Sequence, residues 1–251
     1  MSGTVHLVGA GPGAADLLTL RAARLLGEAG IVFHDALVPA EILALARQAE
    51  KVPVGKRCGR HSTAQRFINK RLADAAADHA VVVRLKGGDP MLFGRAQEEI
   101  DYLRARRVRV EVVPGVTAAL AAAAQSGVSL TQRGVARSVA LVTPRVGEGT
   151  APSSWLDAAR AADTVAVYMG AGDAPAIARA LIGAGKPAST PVVVVENASQ
   201  ADARTLSGTL AGLPELAAQL GGGAAVILLG EADRPALATA EQPTTHKSQA
   251  R

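Results

Sequence analysis

Short runs rich in Val and Ile alternate along this chain with longer stretches rich in Ala and Leu, beginning at residue 4. In the first half the apolar runs predict strands near residues 4–8, 30–34, 80–85 and 109–113. The stretches with a helical period predict helices near 19–28, 40–48, 63–78, 94–107 and 117–126. Strands that alternate with helices favour an α/β sheet with mainly parallel strands and covered faces.

A second alternation begins after the polar segment 131–134. It predicts strands near 138–143, 164–169, 190–196 and 224–230, helices near 153–161, 173–184 and 212–220, and a hairpin-like antiparallel pair involving 199–209. We therefore expect two α/β domains, over residues 1–134 and 135–235, with a boundary near 131–137. Residues 236–251 lack any periodicity, which predicts a disordered tail.

Composition narrows the classes of protein that this pattern can represent. The chain has 251 residues, of which 49% are hydrophobic and only 2% aromatic, and so few rings argue against a base-stacking nucleic-acid surface. The N-terminus lacks the pattern of a signal peptide, and no apolar run is long enough to span a bilayer. The single cysteine, Cys58, excludes an intrachain disulfide and a multi-cysteine metal cluster. We expect a cytoplasmic protein with no metal, nucleic-acid or membrane partner.

The net charge of +5 is unevenly distributed. Residues 1–134 hold 18 Lys and Arg against 12 Asp and Glu, whereas residues 135–251 hold 9 against 10. The basic excess therefore belongs to the first half. An anionic small molecule, nucleic acid or a role in solubility could each explain it, and composition alone does not choose between them.

The first predicted strand leads into a glycine-rich loop, GAGPGA at residues 9–14, which matches the dinucleotide fingerprint. Asp35 follows at the end of the next strand, where a Rossmann enzyme would hold the ribose. These features predict an NAD(P)-dependent oxidoreductase as one alternative, and a tight connection without a ligand as another. Against the dinucleotide interpretation, Pro12, Asp16 and Thr19 indicate a longer turn, with the helix capped near Asp16 or Thr19.

A second glycine loop follows the strand near 80–85, in the segment RLKGGDPMLFGR at residues 84–95. Gly87 and Gly88 allow a ligand to approach the backbone closely. Asp89 adds a carboxylate, which suits ribose hydroxyls or a cationic amine better than a phosphate. Because ligands of open α/β sheets bind beyond the carboxyl ends of the strands, we expect both loops to line one crevice.

Further short segments accompany these loops in a characteristic order. Together they lie at residues 8–13, 34–38, 54–57, 84–90, 93–95, 98–99, 113–118, 130–134, 168–170 and 195–199. Taken together, the segments resemble the tetrapyrrole methylase family, and within it the branch that C-methylates uroporphyrinogen III. The resemblance covers roughly residues 4–230. It implies two α/β domains of the tetrapyrrole methylase type, with S-adenosyl-methionine bound in the cleft between them and S-adenosyl-homocysteine as its product, and a homodimer.

The resemblance implies contacts to the methyl donor from residues of both predicted domains. They are Pro12, Gly87, Gly88, Asp89, Leu92, Thr117, Ala118, Met169 and Ala198. Small residues such as Ala118 and Ala198 leave room for an adenine. Some of these residues also have a purely structural interpretation, because Thr117 can cap the following helix and Met169 can fill the core.

Other residues set the substrate within the family. The resemblance implies Asp35, Lys56 and Arg95 as catalytic candidates, and Arg95, Glu98, Arg133 and Met169 as substrate contacts. The resemblance implies Asp35 and Lys56 as the candidate proton acceptor and donor. A guanidinium stays protonated, so Arg95 is expected to anchor an acetate or propionate. The structural alternatives are a surface pair between Arg95 and Glu98 and a turn cap at Asp35.

The resemblance therefore implies an enzyme, a methyltransferase that methylates uroporphyrinogen III at C2 and C7 to give precorrin-2. This step belongs to porphyrin biosynthesis and leads to sirohaem, cobalamin or haem d1. Three alternatives remain: a methyltransferase of the same fold acting on a later precorrin, a Rossmann-type oxidoreductase, and a nonenzymatic tetrapyrrole carrier.

Overall fold

The computed structural model of this chain describes residues 3–54, 65–145 and 154–234. The chain forms two compact units, residues 1–118 and 119–251. Each unit contains its own five-stranded sheet and its own helices.

The sheet of the first unit is entirely parallel. Its strands are β1 (Thr4–Gly9), β2 (Ile31–His34), β3 (Glu50–Pro53), β4 (Val81–Lys86) and β5 (Arg109–Val113). They lie in the order β3-β2-β4-β1-β5. The helices between them are α1 (Leu20–Glu28), α2 (Ala40–Leu43), α3 (Gln65–Asp78) and α4 (Ala96–Ala105). The parallel sheet predicted from the alternating pattern is confirmed.

Helices cover both faces of this first sheet. On one face, Leu7 and Phe33 pack with Leu72 of α3 and Leu103 of α4. The opposite face packs against α1 and α2 in a second cluster that includes Leu26. All five strands point the same way, so the loops that follow them emerge at a single edge, which is the edge where α/β sheets bind ligands.

The second unit contains a mixed sheet. Its strands are β6 (Val139–Val142), β7 (Thr164–Tyr168), β8 (Pro191–Glu196), β9 (Arg204–Thr209) and β10 (Ala225–Gly230), in the order β6-β7-β10-β8-β9. Only β6 and β7 pair in parallel, whereas β10 is antiparallel to β7 and β8. Strand β9 pairs antiparallel with β8, which confirms the antiparallel pair predicted for 199–209.

Four helices accompany the second sheet. They are α5 (Ala118–Ser126), α6 (Trp155–Ala161), α7 (Ala174–Gly183) and α8 (Leu213–Ala218). Apolar side chains of α6, α7 and α8 share one core cluster with β7, β8 and β10, which places these three helices on one face of the sheet.

Two predicted helices are shorter than expected. The helix predicted near 40–48 stops after four residues, because Leu45 and Ala46 donate instead to carbonyls three residues earlier in tight turns. The helix predicted near 94–107 begins at Ala96, because the backbone of Arg95 is left-handed, with φ of 55°. In both cases local turn geometry overrides a pattern that is compatible with helix.

Strand β3 is absent from the sequence-based prediction. Of its four residues only Val52 is buried, so no alternating pattern marks it. The strand forms nonetheless because it pairs along β2 at the edge of the sheet.

The division between the two units falls just before Ala119, ahead of the boundary predicted near 131–137. Bonds made by α5 explain the difference. The N–H of Ala119 donates to the Tyr168 hydroxyl at 3.1 Å, and the N–H of Ser199 donates to the side-chain oxygen of Gln125 at 2.9 Å. Both bonds attach α5 to the strand ends of the second sheet.

The predicted tail at 236–251 and Cys58 lie outside the described residues. Within the described part of the chain, no helix has the length and apolar character needed to cross a membrane. The same residues hold no group of three or more His, Cys, Asp and Glu side chains that could bind a metal ion.

Candidate active site

The loops after β1, β4 and β5 meet backbone to backbone at the carboxyl edge of the first sheet. Gly11 and Gly88 exchange two hydrogen bonds, with N–H to carbonyl distances of 3.1 and 2.7 Å. A Cβ on Gly9 would lie 2.6 Å from the nitrogen of Gly115, and a Cβ on Gly115 would collide with the oxygen of Gly88. Only glycine permits this approach at positions 9 and 115, and the backbone at this contact is therefore free of side chains.

Asp89 holds two of these loops together. Its Oδ2 accepts the N–H of Gly115 at 2.9 Å, and its Oδ1 accepts the N–H of Met91 at 2.8 Å. Each carboxylate oxygen can accept more than one hydrogen bond, so the two backbone contacts leave acceptor capacity for a ligand. Asp89 is therefore an organiser of the loops as well as a candidate contact for a donor.

The first glycine loop does not lead directly into a helix. A 3₁₀ turn at Ala15–Leu17 intervenes, and α1 is capped by Thr19, whose hydroxyl accepts the N–H of Ala22 at 3.1 Å. The longer turn and the Thr19 cap are confirmed. The strand order also differs from the Rossmann order, in which the first strand lies beside the second, because here β1 lies between β4 and β5. Both observations disfavour a dinucleotide site.

Four charged side chains form a buried charge cluster in the first unit: Asp35, Arg84, Lys86 and Glu99. Arg84 donates from one terminal nitrogen to Oδ1 of Asp35 at 2.5 Å and from Nε to Oε1 of Glu99 at 3.2 Å. Lys86 Nζ lies 3.1 Å from each oxygen of Glu99. The side chains of Arg84, Lys86 and Glu99 are 3%, 4% and 0% exposed, whereas that of Asp35 is 28% exposed.

The strand period explains how these charges meet. Arg84 and Lys86 lie on the same face of β4 as Val82, which belongs to the core beneath α3 and α4, so they face the same two helices. Helix α4 supplies Glu99 to that face. Burial lowers the pKa of Lys86, an effect that the nearby Arg84 reinforces and the carboxylate of Glu99 opposes. No role for Arg84, Lys86 or Glu99 was predicted from the sequence, although two cations at the end of an apolar strand, VVVRLK, were the available signal.

Arg95 and Glu98 form an exposed ion pair at the start of α4. Nε and one terminal nitrogen of Arg95 donate to the two oxygens of Glu98, each at 2.7 Å. The hydrogen bonds from Arg95 lower the pKa of the Glu98 carboxyl. With 58% and 51% of the two side chains exposed, the pair contributes only a few tenths of a kcal/mol to stability.

Two predicted donor contacts share one edge of the second sheet. Strands β7 and β8 flank β10 and run antiparallel to it, so they are parallel to each other and their carboxyl ends lie together. Met169 follows β7 and Ala198 closely follows β8. The side chain of Met169 is exposed, which is not the situation of a core methionine, and Ala198 is buried. Tyr168 received no role from the sequence, yet its hydroxyl binds the first turn of α5.

Left-handed backbone is concentrated in the same loops. Among the described non-glycine residues, φ is positive at Phe93, Arg95, Arg107, Met169, Asn197 and Ser199. All but Arg107 lie in the loops after β4, β7 and β8. Such conformations cost about 1–3 kcal/mol each and cluster at functional sites, which supports a binding role for these loops.

The remaining predicted residues are distributed as follows: Pro12, Gly87, Leu92 and Thr117 lie in the loops after β1, β4 and β5, and Ala118 is the first residue of α5. Arg133 is exposed in the turn that precedes β6. Lys56 lies outside the described residues. The first unit therefore brings together the glycine loops, Asp89 and Thr117, and the second unit brings together Met169 and Ala198.

The family model for Tetrapyrrole (Corrin/Porphyrin) Methylases matches residues 4–214 of this chain. The Siroheme synthase of Psychrobacter cryohalolentis is 46% identical over 218 residues, which cover 86% of this chain and 42% of that protein. This chain thus spans less than half the length of that curated relative.

Two solved structures match over most of both chains. A uroporphyrin-III C-methyl transferase from Thermus thermophilus, complexed with S-adenyl homocysteine, is 43% identical, with a TM-score of 0.81 and coverage of 93% of this chain and 100% of that one. A cobalt precorrin-4 methyltransferase, a cobalamin biosynthetic enzyme, is 30% identical, with a TM-score of 0.80 and coverage of 91% and 95%. These matches confirm the predicted fold class, and the chain belongs to the tetrapyrrole methylase family.

Proposed function

We propose that this chain transfers methyl groups from S-adenosyl-methionine to C2 and C7 of uroporphyrinogen III, giving precorrin-2. The observation that carries the proposal is the contact of Gly9, Gly88 and Gly115, bridged by Asp89, in a chain of the tetrapyrrole methylase family. The S-adenyl homocysteine bound by the Thermus relative supports the choice of donor.

The residues of the glycine loops fit such a donor. A bare backbone admits a flat adenosyl group, and Asp89 can accept from ribose hydroxyls or an ammonium. We assign the donor contacts to Pro12, Gly87, Gly88, Asp89, Leu92, Thr117, Ala118, Met169 and Ala198. When bound, S-adenosyl-methionine supplies a methyl group that the sulfonium charge has already activated.

We assign two exposed arginines, Arg95 and Arg133, as the residues that bind carboxylates of the substrate. A guanidinium has five N–H donors, of which Glu98 engages two on Arg95, so a bidentate contact to an acetate or propionate is still available there. Arg133 is exposed and offers a second contact. The basic excess of residues 1–134 favours the same anionic macrocycle. Glu98 and Met169 complete the assigned substrate contacts.

Methylation of a pyrrole carbon requires a proton to leave so that the ring electronics are restored. We assign Asp35 as the acceptor of that proton and Lys56 as a proton donor. Since Arg84 engages Oδ1 of Asp35, we assign the proton to Oδ2. Arg95 anchors substrate and does not act as a base, because a guanidinium stays protonated up to roughly pH 12.

Anaerobic turnover with two porphyrinogens tests the substrate assignment. One is uroporphyrinogen III, and the matched control carries methyl groups in place of the four acetates. We expect turnover of the first to exceed that of the second by at least about tenfold, because lost carboxylate contacts cost more than about 1.4 kcal/mol. Equal turnover would contradict recognition of the acetates by Arg95 and Arg133.

A second candidate is methylation of a later precorrin, which the likeness to the cobalt precorrin-4 methyltransferase favours. This alternative predicts that the donor binds, that uroporphyrinogen III is not methylated, and that a later precorrin is. The same assay separates the two candidates.

A further inference from the structure

We propose that Arg84 and Glu99 are positioning residues for Asp35: Glu99 fixes the guanidinium of Arg84, and Arg84 orients the carboxylate of Asp35. The inference rests on the proposed function, in which Asp35 accepts the proton released by the substrate.

The contacts of Arg84 define the orientation of Asp35. Its guanidinium donates to Oδ1 of Asp35 at 2.5 Å, to Oε1 of Glu99 at 3.2 Å and to the backbone oxygen of Leu85 at 3.1 Å. Three bonds in different directions from one planar group leave it a single orientation. The carboxylate of Asp35 cannot turn without losing the shortest of these bonds.

Glu99 is the anchor for that guanidinium. Besides Arg84, its Oε1 accepts from Gln65 Nε2 at 3.0 Å and from Lys86 Nζ at 3.1 Å, and its Oε2 accepts from Lys86 at 3.1 Å. Gln65 is itself held by Asn69, to whose side-chain oxygen it donates at 3.0 Å. The carboxylate is 0% exposed, and its donors come from both β4 and α3, so it has no room to reorient.

Stability alone does not account for this cluster. Burying charges costs several kcal/mol per ion before their attraction is counted, and apolar replacements of buried ion pairs are often neutral or stabilising. The residues that precede Arg84 in β4 are valines, which would satisfy the core at this position. The cluster instead lies at the carboxyl end of β4. Its buried members, Arg84, Lys86 and Glu99, are connected by hydrogen bonds to Asp35, which is its one partly exposed member.

A double-mutant cycle in the full chain tests the inference. It compares the wild type, Glu99→Gln, Asp35→Asn and the variant that carries both substitutions. In the wild-type background, Glu99→Gln should lower kcat about tenfold or more, as misplaced catalytic groups do, with the Kd for S-adenosyl-homocysteine within about threefold of the wild type. In the Asp35→Asn background, Glu99→Gln should cause no further loss, because the group that it orients no longer accepts the proton.

Arg84→Lys provides an independent version of the test, since one ammonium cannot span both carboxylates. It should lower kcat in the wild-type background and not in the Asp35→Asn background. The matched control is Arg24→Met, which breaks the exposed pair with Glu28 on α1 in the same unit and should leave kcat unchanged.

Equal losses of kcat in both backgrounds would overturn the inference, because Glu99 would then act through the fold or through another residue. Variants that lose stability in urea but keep kcat would overturn it as well. A wild type that transfers no methyl group refutes the proposed function itself, whereas an active wild type with equal losses refutes only the positioning roles.

Discussion

At the scale of single residues, Asp89 bridges two loops through the N–H groups of Gly115 and Met91. Asp89→Ala removes both acceptors together with the proposed contact to the donor. A lost hydrogen bond to a charged group costs about 1.5–3 kcal/mol, so the Kd for S-adenosyl-homocysteine should rise at least tenfold in calorimetry. Asp101→Ala removes an exposed carboxylate of α4 and serves as the control. An unchanged affinity in Asp89→Ala would refute the assignment of this loop.

In the proposed function, Arg95 contributes to substrate binding and not to donor binding. Its pair with Glu98 adds only a few tenths of a kcal/mol to stability, so Arg95→Ala should fold normally. Methyl transfer to uroporphyrinogen III should fall by roughly a hundredfold, as expected for the loss of a charge-assisted anchor worth about 3 kcal/mol, while the affinity for S-adenosyl-homocysteine stays the same. Arg104→Ala, at the other end of α4, is the matched exposed control. Full activity of Arg95→Ala would contradict its role.

At the scale of elements, the contact between loops depends on glycine. A Cβ added by Gly115→Ala would collide with the oxygen of Gly88 and lie 2.9 Å from the Cα of Gly9. The free energy of unfolding should therefore fall by about 1–3 kcal/mol, measured in urea. Gly27→Ala is the matched control on α1, where the new methyl group meets open space, and it should raise stability by up to about 1 kcal/mol. Equal stability of Gly115→Ala and the wild type would mean that the loops are free to separate.

Local patterns predicted most of the elements but not the contacts that build the site. Strands β1 and β4 were predictable because their apolar runs end in glycine loops. The left-handed backbone of Arg95 could not be predicted, since nothing in the neighbouring residues requires it. Arg84 lies 15 residues from Glu99 and 49 from Asp35 along the chain, so only the sheet order and the packing of α4 make them partners.

At the scale of the whole molecule, stability should depend on pH through Asp233. This residue is 1% exposed, its Oδ2 has no hydrogen-bond partner among the described residues, and burial raises its pKa from 3.8 to about 7. The folded protein holds the proton more tightly than the unfolded chain does. The contribution of Asp233 is therefore fully present below about pH 4 and is lost as the pH rises through about 7.

The expected loss between pH 5 and pH 8 is about 3 kcal/mol, since a folded-state pKa of about 7 lies two units above pH 5 and each pKa unit corresponds to about 1.4 kcal/mol. Asp233→Asn cannot ionise, so its stability should vary less over the same range. Urea unfolding of both proteins at the two pH values measures the difference. If both lose the same stability between the two values, Asp233 is not the group responsible.

This chain is similar to less than half of the Siroheme synthase relative, so the proposed chemistry concerns only the part of that protein that this chain matches. The homodimer that the family resemblance implies stays a prediction. The proposed reaction is the most informative property to measure, because it would require the proposed donor loops, substrate contacts and acid–base residues together.

The number and position of the transferred methyl groups are the most direct test of the proposed function. Purified chain is incubated without oxygen with uroporphyrinogen III and S-adenosyl-methionine labelled with ¹³C in its methyl group, and the product is analysed by mass spectrometry and ¹³C NMR. We predict two labelled methyl groups, at C2 and C7. Binding of S-adenosyl-homocysteine without any methyl transfer to uroporphyrinogen III would refute the proposed function.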